Sequence, residues 1–188
     1  MPRTPLPSSA KDYTPAGLDR KNIVDVRSEP DTELARYRIL SPKAGVRVSP
    51  LSLGSMSLGD QWTGWMGGKL SPNESEKLLD AFYEAGGNFI DSANNYQDEQ
   101  SEMIIGEWME KRGVRDEIVL ATKYTAYSMY RKEGRQKGVG VNYMGNHVSD
   151  SLKKLRTSYI DILYVHWWDY TTSVEEVMLG LNDLVREC

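Results

Sequence analysis

The sequence predicts an α/β fold built around a parallel sheet. Short apolar runs of strand length alternate with stretches whose apolar residues recur at helical spacing, and capping signals fall at the junctions between them. About four such βα units follow one another, preceded by a hairpin. An open doubly wound sheet and a (β/α)8 barrel both begin this way, and periodicity alone does not choose between them.

Residues 1–31 are rich in Pro, Ser and charge, have little periodicity, and are expected to form a mobile arm. Residues 32–188 are expected to form the folded domain. Tyr37–Leu40 and Val46–Val48, separated by Ser41-Pro42-Lys43-Ala44-Gly45, predict a hairpin. Leu51–Met56 is the first candidate for a buried strand. Ser71-Pro72-Asn73-Glu74 is a capping box with proline at the first helical position. Its helix should turn Leu78, Leu79, Phe82 and Tyr83 inward and end at Gly86-Gly87. Asn88–Asp91 predicts the second strand. Ser101 to about Arg112 predicts a helix facing inward with Ile104, Ile105 and Trp108, stopped by Gly113. Glu117–Thr122 is the third strand. A long polar loop follows, then a helix from about His147 to Leu155 and a fourth strand over Tyr159–Val165. Ser173-Val174-Glu175-Glu176 is a second capping box. It opens a helix with an apolar stripe at Val174, Val177, Met178, Leu181, Leu184 and Val185.

Polar residues gather at one end of these strands. Asp91 closes the second strand, Tyr96 lies in the loop after it, Lys123 follows the third strand and His166 the fourth. Strand C-termini carry the active sites of α/β barrels and the ligand crevices of open sheets. Taken singly, Asp91 could cap a turn, Tyr96 pack, Lys123 end a loop in solvent and His166 be a hydrogen-bonded core residue. Jointly, the four suit carbonyl reduction. A tyrosine hydroxyl, with an ordinary pKa of about 10, is a weak proton donor at neutral pH. A nearby lysine cation favours its phenolate, an aspartate holds the lysine, and a histidine orients the carbonyl. No side chain supplies the hydride, so a cofactor is required. Trp167-Trp168-Asp169-Tyr170, after the fourth strand, reads equally as pocket lining or as packing.

Composition excludes several classes. A net charge of −4 in 188 residues argues against a nucleic-acid partner, and no apolar run approaches a membrane span. The single cysteine, Cys188, forms no disulfide within the chain. With no apolar leader stretch at the N-terminus, this points to a cytoplasmic protein. No G-x-G-x-x-G follows a strand. Gly68-Lys69 lacks the P-loop's other positions, because Leu70 stands where Ser or Thr is needed and Thr63 where the first glycine is needed. Two widely separated histidines and a terminal cysteine make no zinc site.

Three segments resemble the aldo-keto reductase family. GGNFIDSANNYQDEQSE (residues 86–102) is similar to the signature in which a strand ends in Asp and Tyr follows five positions later. IVLATKY (118–124) resembles the strand delivering the catalytic lysine, and DSLKKLRTSYIDILYVHWWD (150–169) the segment delivering the histidine. AGGNFID, IGEW and DILYVHWWD most resemble the fungal branch of aryl-alcohol dehydrogenases and norsolorinic acid reductases. The likeness runs over about residues 37–188, with the motifs in order. It implies the N-terminal half of a (β/α)8 TIM barrel and an NADPH/NADP+-dependent interconversion of a carbonyl and an alcohol. Tyr96 would be the proton donor, supported by Asp91 and Lys123. Asp91 would lie near the nicotinamide, and His166 and Trp167 would bind substrate. Members of that branch act in secondary metabolism or on aromatic aldehydes. Because the family runs on for four further βα units, the chain is expected to be C-terminally truncated and to self-associate through open barrel edges. Two other functions fit less of the pattern. One is an inactive or regulatory relative that binds a protein partner. The other is a glycosidase with paired carboxylates, against which the tyrosine–lysine pairing argues.

Overall fold

The computed structural model describes residues 29–66, 70–125, 141–170 and 172–186. The chain divides between Asp31 and Thr32, and every element below belongs to the second unit. The arm expected over residues 1–31 lies, except for its last three residues, outside the described residues. So does the polar loop after the third strand, across 126–140.

The hairpin forms as expected. β1 (Arg38–Ser41) pairs antiparallel with β2 (Ala44–Val48). Asn88 fixes it to the sheet, accepting from Ser49 N at 2.7 Å and donating to Arg47 O at 3.0 Å. Asn88 immediately precedes β4 (Phe89–Asp91), so the hairpin sits at the N-terminal end of that strand. The remaining strands are β3 (Leu53–Gly54), β5 (Val119–Tyr124) and β6 (Ile162–Val165). With β4 they form one parallel sheet in the order β3-β4-β5-β6. Sequential parallel strands joined by helices are the arrangement from which a barrel is rolled.

The helices are the short α1 (Thr63–Met66), α2 (Pro72–Glu84), α3 (Gln100–Arg112), α4 (Val141–Lys154) and α5 (Val174–Arg186). From α2 onward each packs on the next. α2 starts where its capping box says. Ser71 Oγ accepts from Glu74 N at 3.3 Å, and Glu74 Oε2 accepts from Ser71 N at 2.9 Å. Its C-cap is Ala85, with Gly86 turning at a φ of 92°. α3 ends at Gly113, whose φ of 68° is the left-handed cap that glycine adopts without a Cβ clash.

Leu79 of α2, Ile104, Ile105, Trp108 and Met109 of α3, Ile90 of β4, Leu120 of β5 and Leu155 enclose one core on the helical side of the sheet. Each such side chain contributes about 1.5–3 kcal/mol by leaving water. Gly106 lets α3 approach the end of α4. A Cβ there would lie 2.2 Å from Lys154 O and 2.8 Å from Leu155 Cα, inside backbone that has no room to yield.

Several sequence expectations are corrected. The first strand is two residues, not six. Leu51 is 68% exposed and Met56 39%, because only Leu53 and Gly54 are in register with β4, opposite Ile90 and Asp91. β5 starts and ends two residues later than expected, after a 3-10 turn at Arg115–Glu117, so Lys123 lies within the strand and not after it. β6 starts at Ile162 because Tyr159–Asp161 is occupied with Arg115. That guanidinium donates to Tyr159 O and pairs with Asp161 at 2.8 Å. Leu78 is exposed on α2. Val174, Met178 and Val185, half of the α5 stripe, are exposed as well.

Candidate active site

Alternation along the strands sorts the sheet's two faces. Ile90 and Leu120 point into the helical core, so Asp91, one residue after Ile90, and Lys123, an odd three residues after Leu120, point to the inner face. Tyr164, in register with Lys123, shares that face. Asp91, Tyr164, Phe89, Ser52 and Gly54 line an open depression of about 320 Å³ there.

The four residues singled out in the sequence converge at the C-terminal rim of this face. Lys123 Nζ lies 2.7 Å from Asp91 Oδ2 and donates to Ser92 O at 2.6 Å and to Tyr96 Oη at 3.3 Å. The ammonium's three protons are thus matched by a carboxylate, a carbonyl and the phenol oxygen. Since that oxygen accepts from Lys123, the phenol's own proton remains to be donated elsewhere. Tyr96 is 8% exposed, and the Lys123 side chain 14%.

His166 follows β6 directly, its backbone N–H donating to Tyr124 O at 2.9 Å. Its ring meets that of Tyr96 edge to face, centroids 5.7 Å apart. Burial, and secondarily the positive charge of Lys123, push its pKa below the ordinary histidine value, while Asp91 pulls the other way. The ring is therefore neutral at neutral pH, and its buried Nδ1 has no hydrogen-bond partner among the described residues. A neutral imidazole offers one N–H, which suits binding a carbonyl oxygen without delivering a full charge. Trp167 stacks on His166 at 5.7 Å and is 63% exposed, forming an open aromatic wall.

Sequence reading missed three contributors. Thr125 takes a φ of 81° just past β5, and its hydroxyl donates to Trp167 O at 2.7 Å while accepting from Trp167 N at 2.8 Å. This clamp sets where His166 and Trp167 stand. Trp62 packs edge-on against Tyr96 at 6.3 Å. Gln97 ties the two loops together, donating to Met56 O at 2.8 Å and accepting from Trp62 N at 2.9 Å. Only the aromatic character of Trp62 could have marked any of them, since loop-to-loop contacts leave no periodic trace.

Comparison with known proteins identifies the family. The profile of the aldo/keto reductase family matches residues 50–187. A Saccharomyces cerevisiae protein carrying an aryl-alcohol dehydrogenase name is 58% identical over 166 residues, which is 85% of this chain and 77% of that one. The aryl-alcohol dehydrogenase [NADP(+)] of Phanerodontia chrysosporium is 53% identical over 88% of this chain and 45% of its own. Norsolorinic acid reductase A of Aspergillus parasiticus is 55% identical over 87% of this chain and 43% of its own. The chain thus spans under half the length of the latter two. Among solved structures, an aldo-keto reductase from Bacillus halodurans in its holo form superposes with a TM-score of 0.66 at 28% identity, covering 80% of this chain and 46% of that one. The three sequence relatives are fungal proteins of the kind that the sequence motifs resemble, and the (β/α) sheet is the corresponding part of a TIM barrel. The chain belongs to the aldo/keto reductase family.

Proposed function

We propose that this chain carries the catalytic rim of an NADPH-dependent reductase of aldehydes or ketones, working in either direction, with aromatic carbonyls as the favoured class. The observation that carries this reading is the contact of Lys123 Nζ with both Asp91 and Tyr96 Oη. In this scheme Tyr96 donates its proton to the carbonyl oxygen. Lys123 steadies the charge left on the phenol oxygen, and Asp91 holds Lys123. His166, kept neutral by burial, orients the carbonyl through its N–H. Trp167 provides a face for a flat substrate.

The residues present fit a nicotinamide ring. The depression beside Asp91 is open, and its lining mixes a carboxylate with the rings of Phe89 and Tyr164. Asp91, Phe89 and Tyr164 would hold that ring. The cofactor would supply the hydride. The aryl-alcohol dehydrogenase relative is named for NADP(+), and this favours the phosphorylated form. We place the protein in the cytoplasm, where that cofactor is at hand. Consumption of NADPH with an aromatic aldehyde, followed by absorbance, tests the assignment. Turnover that Tyr96→Phe removes supports it, and equal turnover in the variant overturns it.

A second reading has its own observation. Among the described residues β6 pairs only with β5, and β3 only with β4, so both sheet edges are open. We propose on this ground that two copies of this chain associate through these edges, and sedimentation at rising concentration tests it.

A further inference from the structure

Behind the rim, on the helical side of the sheet, lies an ion pair that the proposed chemistry does not use. Glu102 of α3 is fully buried. Its Oε2 is 2.8 Å from Lys154 Nζ, at the end of α4, and its Oε1 accepts from Thr122 Oγ1 at 2.6 Å. The Lys154 side chain is 10% exposed. A buried pair of this kind costs desolvation, and hydrophobic residues of similar volume often replace it without loss of stability. Stability alone therefore gives little reason for it.

Its geometry gives a better one. Lys154 Nζ also donates to Asn94 O at 3.0 Å. Asn94 lies between Asp91 and Tyr96. Its backbone N–H donates to Lys123 O at 3.1 Å, and its side-chain amide contacts His147 Nδ1 at 3.3 Å. Thr122, at the far end of the pair, is the strand neighbour of Lys123. The loop beyond Tyr96 has a high conformational cost, because Gln97, Asp98 and Glu99 all take positive φ, at 52°, 50° and 79°. Three consecutive non-glycine residues in that region persist only where surrounding contacts fix them. Lys154 touches the chain on both sides of Tyr96, holding Asn94 before it and lying 3.7 Å from Glu99 after it. Gly106, where α3 and α4 touch at Lys154 O, sets the depth at which the ammonium sits.

We propose that Lys154 is a positioning residue for Tyr96. Held by Glu102, it anchors the Asn94 carbonyl, and so fixes the phenol of Tyr96 against Lys123. The inference rests on the reductase reading for its kinetic consequence but not for its structural one.

The test uses the full chain, Lys154→Met, and the double variant Lys154→Met/Glu102→Gln. The single change strands a buried carboxylate and should lower the melting temperature. The double change removes that charge, keeps an acceptor for Thr122 and should recover most of the melting temperature. If Lys154 positions Tyr96, the double variant still turns over about ten- to hundred-fold more slowly, with KM within about two-fold, since small misplacements of a reacting group cost that much. The NMR signal of the Tyr96 ring carbon bearing the hydroxyl, identified by its loss in Tyr96→Phe, should be displaced and broadened in the same protein. Recovery of turnover and of an unchanged Tyr96 signal along with stability would overturn the proposal. If the parent chain reduces no carbonyl, the reductase reading fails by itself, and the Tyr96 signal still decides the positioning role.

Discussion

The two faces of the parallel sheet are made from the same strands and have opposite physics. The helical face is closed and, apart from the Glu102–Lys154 pair, largely apolar: Ile90, Leu120, Leu79, Ile105 and Trp108 are each at most 1% exposed. The inner face presents Asp91 and Tyr164 beside an open depression, with Lys123 paired to Asp91 at its rim. Period-two alternation makes this division possible, since every strand residue belongs to one face only. Stability is thereby concentrated on one side and chemistry on the other. A substitution should then affect mainly one of them, depending on which side it falls, except at the Glu102–Lys154 pair, which reaches from the helical side to the loop of Tyr96.

The largest effect expected is on the chemical side. Tyr96→Phe should lower carbonyl turnover by about 10²–10⁴-fold, the range for a positioned proton donor. It removes only a hydroxyl, so the melting temperature should hardly move. A large loss of stability in this variant would erase the division between the faces. On the other side, Trp108→Ala should cost about 3–5 kcal/mol in a denaturant titration. It empties the core and removes the indole's bond to Asp80 Oδ1 at 2.8 Å. Gly106→Ala should cost about 1–3 kcal/mol by overpacking, because the added methyl meets the α4 backbone. If Gly106→Ala proved neutral, the close approach of α3 and α4 would be wrong.

The helical face was largely legible in the sequence, because helical spacing and capping boxes report it directly. Ser71 and Glu74 start α2 where they should, and Ile104, Ile105 and Trp108 are buried as their spacing implies. The rim was legible for a different reason. Asp91, Lys123 and His166 lie at or beside the C-terminal ends of strands that neighbour one another in the sheet, so chain order carries them together. What stayed hidden depends on contacts between loops and on what lies next to an element. Arg115 shortens β6 by engaging Tyr159 and Asp161, and nothing in the apolar run from Tyr159 signals that. The reciprocal Thr125–Trp167 bonds and the Gln97 bridge join residues about 40 positions apart with no repeating pattern. Leu51 and Met56 carry a strand composition but have no register partner, so propensity misled.

A smaller effect should appear with pH. Burial pushes His147 below its ordinary value, with Lys154 acting in the same direction and Asp150 against it. Burial also lowers His166. Both are neutral in the folded chain near neutrality. Below about pH 6.5 the unfolded chain takes up protons that the folded chain refuses, so stability falls with pH down to the depressed folded values. His147→Gln removes one of these groups. Its melting temperature should depend less steeply on pH between about 7.5 and 5.5 than that of the parent. An equal slope would mean that His147 does not stay neutral behind the loop of Tyr96.

The smallest effect tests where the closed side stops. α5 has a clear apolar stripe, yet Val174, Met178 and Val185 are 65%, 59% and 75% exposed, and Leu179 is 57% exposed. Only Val177 and Gly180 are buried on this helix. By contrast α3, whose apolar residues are less segregated, buries seven of its thirteen residues. A stripe records which face of a helix is suited to burial, whereas actual burial depends on what stands opposite. If water stands opposite Met178, replacing it with glutamate exchanges one solvated side chain for another. Met178→Glu should then change the unfolding free energy by less than about 0.5 kcal/mol, as surface substitutions do. Denaturant titration at low and high protein concentration would measure it. A cost above about 1.5 kcal/mol that grows with concentration would instead mean that a second copy covers this face, since exposed apolar clusters mark such contacts. The closed side of the molecule would then extend past α4 to include α5.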